Sequence, residues 1–330
     1  MKVSFFSTKS YDREFFERFN TSHEITFFDT HLSLESALLA KGSDGVCVFV
    51  NDQLTSEIIH KLHEIGVKII ALRCAGFNNV VLDTAQKLGI AVVRVPAYSP
   101  QAVAEHAVAL IMALNRKTHK AYNRVREGNF SLERLTGFDI YGKTIGVIGT
   151  GKIGNAFARI MLGFGCKVLA YDLYPSADLE AMGVSYVSQN ELLSSCHIIS
   201  LHCPLTPETH HLISTDTLRL MKPNAMLINT SRGGLINTKA VINALKTGQL
   251  GYLGIDVYEQ EADLFFKDLS EYVIQDDMLL RLMSFPNVLI TAHQGFFTEE
   301  ALSEIAKVTL QNLSDFESGH LNPATTLVGG

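Results

Sequence analysis

Three polar residues follow apolar runs in the second half of the chain: Arg232 after AMLINTS, Glu261 after GIDVYEQ and His293 after NVLITA. Each run has the aliphatic, β-branched character of a buried strand. Residues just past the carboxyl ends of such strands border the ligand crevice of an open α/β sheet. An imidazole exchanges protons near neutrality, so it can protonate an oxygen on which negative charge develops. A carboxylate beside it favours the imidazolium and orients the ring. A guanidinium fork holds a carboxylate through paired hydrogen bonds. Together the three would reduce the keto group of a 2-oxo acid. Singly they read as a surface arginine, a glutamate at a helix start and a capping histidine.

The reductant is indicated upstream. TIGVIG runs into Gly149-Thr150-Gly151-Lys152-Ile153-Gly154, and the helical pattern NAFARIMLGFG follows. In a G-x-G-x-x-G loop the first glycine permits the tight turn, the second admits a pyrophosphate, and the third lets helix and strand pack closely. The next strand, CKVLAYD, ends at Asp172. A carboxylate there accepts hydrogen bonds from ribose hydroxyls and repels a 2′-phosphate. No arginine lies between Asp172 and Asp178 to hold such a phosphate. The pattern predicts NAD rather than NADP.

Elements must hold these residues in place. Strands are expected at KVSFFST, ITFFD, GVCVFV, KIIALRC and IAVVRVP, then at TIGVIG, CKVLAYD, HIISLHC, AMLINTS, YLGIDVY and NVLITAH. Helical spacing between them predicts two parallel sheets in series. Ser99 and Pro100 open a helix expected to reach about Glu127 and end near Gly128. Its first half, AVAEHAVALIMAL, is apolar on nearly all sides and needs cover, inside one domain or at a subunit interface. A tail helix is expected from Thr298 to Gly319, with a stripe of Leu302, Ile305, Thr309, Leu313 and Phe316.

Length and composition bound the reading. With 330 residues, 47% hydrophobic and 19% charged, the chain suits two domains with ample cores. Its net charge of −6 carries no basic stripe, against a general nucleic-acid binder. The longest strictly apolar run, Ala107 to Leu114, is far short of a membrane span. No signal or transit pattern opens the sequence. Five cysteines without a C-x-x-C pair read as buried, reduced thiols, with no metal expected. A cytoplasmic protein follows.

The segments RCAGFNNV (73–80), VRVPAYSPQAVAEHA (93–107), GVIGTGKIG (146–154), LHCPLTPET (201–209), INTSRGGLI (228–236), GIDVYEQE (254–261) and TAHQGFFTEEAL (291–302) span nearly the whole chain. In them the sequence resembles the D-isomer-specific 2-hydroxyacid dehydrogenase family. The insert ADLFFKDLSEYVIQDDMLLRL after Glu261 resembles the group in that family that interconverts pyruvate and D-lactate. The resemblance implies two Rossmann-like or flavodoxin-like parallel-sheet domains with the active site in the cleft between them. The substrate-binding domain would comprise 1–98 plus 297–330, and the NAD-binding domain 99–296, carrying a dimerisation helix after Pro100. A homodimer or homotetramer is implied.

The resemblance also implies roles. Arg232 would bind the substrate carboxylate, His293 would act as acid and base, and Glu261 would pair with it. Ala75 and Gly76 would meet the carboxylate through their backbone, with Tyr98 and Phe296 lining the pocket. Phe296 lacks a hydroxyl, so its role is shape. Gly149, Gly151, Lys152, Ile153 and Gly154 would hold the pyrophosphate and Asp172 the ribose. His202, Cys203 and Pro204 would flank the adenine, with Thr209 nearby. Thr230, Ser231, Arg232 and Asp256 would reach the nicotinamide side. The implied activity is reversible reduction of pyruvate by NADH. Alternatives are a relative taking a bulkier 2-oxo acid, or an NAD-sensing co-repressor on the same scaffold.

Overall fold

The computed structural model describes residues 1–261 and 264–329. Ala262 and Asp263, which open the insert, and Gly330 lie outside the described residues. The chain divides into two compact units, Met1–Ser99 with Phe296–Gly330, and Pro100–Gly295. The boundaries expected from the resemblance fall one residue from these.

In the first unit, β1 (Lys2–Phe5), β2 (Glu24–Phe27), β3 (Gly45–Val48), β4 (Ile69–Leu72) and β5 (Ala91–Arg94) form a parallel sheet in the order β5-β4-β3-β1-β2. That is the flavodoxin-like order. All residues of β3 and β4 are buried, as expected of parallel strands covered on both faces. A short strand, Thr326–Val328, adds antiparallel to β5. The tail helix spans Glu299–Glu317, and Thr298 caps it by accepting from Ala301 N at 3.2 Å. It buries Leu302, Ile305, Thr309 and Leu313 within this unit. Each such aliphatic side chain contributes about 1.5–3 kcal/mol on burial.

In the second unit, β6 (Thr144–Ile148), β7 (Lys167–Tyr171), β8 (Ser185–Tyr186), β9 (Ile198–Leu201), β10 (Ala225–Asn229), β11 (Leu250–Ile255) and β12 (Val288–Ile290) form one sheet. Its order is β12-β11-β10-β9-β6-β7-β8, and every pairing is parallel. Numbered within the unit, this is the doubly wound order 3-2-1-4-5-6 with a seventh strand added. The strand order reverses between β6 and β9, where Ile148 pairs with Leu201. A dinucleotide crevice belongs at that reversal.

The helix after Ser99 departs from expectation. It runs Pro100–Arg116, and a second helix, Thr118–Arg126, follows a break at Lys117, whose φ is +52°. The cause is the chain returning at 134–138. Lys117 Nζ donates to Arg134 O and Thr136 O, and the Asn115 side chain bonds both N and O of Phe138. The first helix buries Ala104, Ala107, Leu110, Ile111 and Leu114 in the core of its own unit.

Candidate active site

The glycine loop leaves β6 at Ile148. A Cβ on Gly154 would lie 1.9 Å from Gly149 O, so only glycine lets the following helix pack this close to the strand end. A Cβ on Gly151, by contrast, would meet nothing within 4 Å, so the loop has open room at that point. The helix Lys152–Gly163 starts there, its first backbone bond running from Asn155 N to Gly151 O. The amides ahead of that bond suit an anion, and the open side suits a pyrophosphate. Asp172 follows β7 directly. Its Oδ2 accepts from Thr150 N at 2.5 Å and Thr150 Oγ1 at 3.1 Å, and its Oδ1 accepts from Tyr174 N at 2.9 Å. The carboxylate the sequence assigns to the ribose is thus fixed against the glycine loop. These residues fit NAD.

The residues after β9 divide into two groups. His202 turns its imidazole inward, with Nε2 2.9 Å from Ser200 Oγ, the ring 4.9 Å from Phe157, and Nδ1 buried without a hydrogen-bond partner among the described residues. Burial pushes its pKa down to about 3, so the ring is neutral. Burial likewise pushes the Cys203 thiol up to about 11, so it rests as the thiol. Ser231 Oγ donates to Cys203 O at 2.7 Å and joins this loop to the turn after β10. Thr209 Oγ1 donates to Pro204 O at 2.7 Å and accepts from Thr206 N, shaping the loop that carries Pro204. Thr230 Oγ1 is buried, with no hydrogen-bond partner among the described residues.

Arg232, Glu261 and His293 follow three adjacent strands. Asn229, Ile255 and Ile290 lie level across β10, β11 and β12. Arg232 stands three residues past the first, Glu261 six past the second, and His293 three past the third. Asn229 staples the arginine turn, donating to Arg232 O at 2.8 Å and accepting from Ser231 N at 3.0 Å. A Cβ on Gly233 would come within 2.1 Å of Tyr258 C, so glycine lets this turn press onto the segment leading to Glu261. His293 Nδ1 lies 2.8 Å from Glu261 Oε1, while Glu261 Oε2 accepts from Tyr258 N at 2.8 Å. Both carboxylate oxygens are held, so the ring orientation is set.

Behind His293 stands a hub of hydrogen bonds built on Asp256. Asp256 is 1% exposed. Its Oδ1 accepts from Thr291 Oγ1 at 2.5 Å and Gln294 N at 2.9 Å, and its Oδ2 accepts from Gly295 N at 2.8 Å. His106 Nε2 lies 3.3 Å from the same carboxylate and 3.0 Å from Thr291 Oγ1. Burial pushes this carboxyl upward, but the bonds from His106, Thr291 and Gln294 N hold it below its ordinary value. Its carbonyl also accepts from His293 N at 2.7 Å, where the histidine backbone has φ +53°. Asp256 therefore positions the 291–295 turn that carries His293. His106 was missed; its signal was a lone histidine inside an apolar helix.

The first unit holds the other expected substrate residues. Ala75 and Gly76 follow β4 and are half-buried, with Arg94 Nη1 donating to Ala75 O at 2.9 Å and Cys74 Sγ to Gly76 O. Phe296 is buried, edge-on to Tyr98 at 6.3 Å and tilted against Phe49 at 5.9 Å. Phe49 had escaped the sequence reading, as had the buried Arg73–Asp12 pair at 3.2 Å beneath it. Arg73 stands two residues before Ala75, in a segment already singled out.

Among the described residues, His210, His211 and Glu259 gather their donor atoms within 4.8 Å. Glu259 is already bound there by His211 Nε2 at 2.6 Å and by Thr238 N and Oγ1, and braces the turn after Arg232.

Comparison with known proteins agrees with this geometry. Residues 108–295 match the NAD binding domain of D-isomer specific 2-hydroxyacid dehydrogenases. The chain is 56% identical to 2-hydroxyacid dehydrogenase A of Aspergillus oryzae, over 96% of this chain and 92% of that one. It is 54% identical to D-lactate dehydrogenase of Escherichia coli, over 98% and 99%. The apo-structure of the Escherichia coli D-lactate dehydrogenase superposes with a TM-score of 0.92 at 51% identity, over 99% of this chain and all of that one. No helix among the described residues is long and apolar enough to cross a membrane. Matched over more than half its length by the family's NAD binding domain and over nearly all of it by these relatives, the chain belongs to the D-isomer-specific 2-hydroxyacid dehydrogenase family.

Proposed function

We propose that the protein is an NAD-dependent D-lactate dehydrogenase that reduces pyruvate to D-lactate and runs the reverse reaction. The observation that carries this is the 2.8 Å contact of His293 Nδ1 with Glu261 Oε1, beside the strand that bears Arg232. When bound, NADH supplies the hydride. The Arg232 fork holds the carboxylate of the 2-oxo acid and polarises its keto oxygen. With Nδ1 turned to Glu261, Nε2 is the atom that gives its proton to the developing alkoxide. In the reverse direction the neutral Nε2 takes the hydroxyl proton. Glu261 orients the ring throughout.

The backbone of Ala75 and Gly76 is assigned to the substrate carboxylate, and Tyr98 and Phe296 to the shape around its methyl group. Lys152 and Ile153 are assigned to the pyrophosphate, Asp172 to the ribose, Cys203 and Pro204 to the adenine, and Thr230 and Ser231 to the nicotinamide side. A homodimer or homotetramer is supported by Tyr122, Phe130, Leu132 and Tyr141, all more than half exposed along the segment after the first helix of unit 2. Cytoplasmic residence is supported by five free, buried cysteines. The test is turnover of pyruvate with NADH, with the product resolved by chirality. D-lactate supports the reading. L-lactate, a preference for a bulkier 2-oxo acid, or NADH binding without turnover each overturns it.

A further inference from the structure

We propose that Tyr186, on the two-residue strand β8, is a positioning residue for cofactor choice. It acts through Thr150 on the Asp172 carboxylate, and the proposal rests on the reading that Asp172 receives the ribose of NAD. The bonds form a chain of one direction. Ser176 N donates to Tyr186 Oη at 2.9 Å. Tyr186 Oη then donates to Thr150 Oγ1 at 2.9 Å, and Thr150 Oγ1 donates to Asp172 Oδ2 at 3.1 Å. A carboxylate can only accept, so the Thr150 hydroxyl gives its proton to Asp172 and accepts from Tyr186 Oη. Tyr186 Oη, itself held by Ser176 N, fills the acceptor side of Thr150 and so holds that hydroxyl in place from the sheet edge.

The consequence lies in what Asp172 still offers. An ionised carboxylate accepts at about four positions. Thr150 N, Thr150 Oγ1 and Tyr174 N occupy three, all of them donors from the protein. What remains is acceptor capacity, which a ribose hydroxyl can fill. A 2′-phosphate brings acceptors and negative charge to the same place and finds no donor. Tyr186 thus keeps the carboxylate turned and ready, so that discrimination does not depend on an unheld side chain choosing the right rotamer.

The test compares NADH and NADPH affinity by calorimetry on the substrate-free enzyme. Tyr186→Phe removes the hydroxyl and keeps the ring. We expect NADH to weaken about five- to tenfold, the scale of one lost hydrogen bond, and NADPH less than about twofold. The preference narrows accordingly, while kcat at saturating NADH stays within about twofold. Thr150→Ser, which retains the hydroxyl, should keep the parental preference, and Thr150→Val should narrow it. Equal weakening of both cofactors by Tyr186→Phe, or none, would overturn the proposal, whatever happens to Tm. Asp172→Ala separates the two levels. If it narrows the preference and Tyr186→Phe does not, the relay fails alone; if it also leaves the preference unchanged, the ribose reading of Asp172 fails.

Discussion

His202 makes the stability of this fold depend on pH in a way that one substitution can isolate. Its ring is enclosed beneath the glycine loop and its pKa is about 3 in the folded chain. In the unfolded chain it returns to the ordinary histidine value, about 6.5. A folded pKa below the unfolded one means that the unfolded chain binds more protons between those values. The stabilisation is present above pH 6.5 and is lost as pH falls from there toward 3. From pH 7 to pH 5 the loss works out at about 2 kcal/mol, from 1.36 kcal/mol per pH unit below the unfolded pKa. His202→Gln removes the titration and keeps an amide that can face Ser200. Urea unfolding of both proteins at pH 7 and pH 5, at one fixed protein concentration, gives the comparison as a difference of differences. Wild type should lose about 2 kcal/mol more than the variant over the interval. Parallel losses in the two proteins would refute the enclosed, neutral ring.

The remaining predictions concern the site. Asp172→Ala should weaken NADH binding by about 1–3 kcal/mol and narrow the preference over NADPH, read by titration with each cofactor. Arg232→Lys should bind NADH normally and lose most of kcat/KM for pyruvate, because a point charge cannot reproduce a fork; near-normal turnover would move carboxylate recognition to the Ala75-Gly76 backbone. His293→Ala should lose about 10²–10⁴-fold in pyruvate reduction and Glu261→Gln a smaller factor, both with NADH affinity retained in direct binding measurements. Asp256→Asn should lower kcat and thermal stability while leaving NADH affinity close to parental; a loss of NADH affinity with normal kcat would return Asp256 to the cofactor.

Much of this was readable from residue types and spacing. All eleven apolar runs taken as strands are strands, because buried parallel strands need continuous aliphatic sequence. The glycine loop and Asp172 were legible because the chemistry of a pyrophosphate and a ribose constrains residues close together in sequence. What escaped depended on partners far away. The two-residue β8 and the strand Thr326–Val328 are too short to show a period. The break at Lys117 follows from a returning loop seventeen and nineteen residues on, at Arg134 and Thr136. Which way the Asp256 and His202 side chains face is not written in their residue type or in their place after a strand. That depends on His106, Thr291, Ser200 and Phe157, none adjacent in sequence.

The interrupted first unit has a consequence for synthesis. The ribosome delivers β1 to β5 first, then the whole of Pro100–Gly295, and only then the segment from Phe296 onward. At about 5–20 residues per second, the intervening stretch takes on the order of 10–40 s. Throughout that time the β5 edge lacks the strand Thr326–Val328, and the surface that Leu302, Ile305 and Leu313 cover is bare. An unpaired edge beside an apolar face is a template for association with another nascent chain. The second unit is continuous and can finish while the first waits. A nick or premature stop shortly before Phe296 would therefore leave an intact dinucleotide fold tethered to an unfinished sheet that is prone to aggregate.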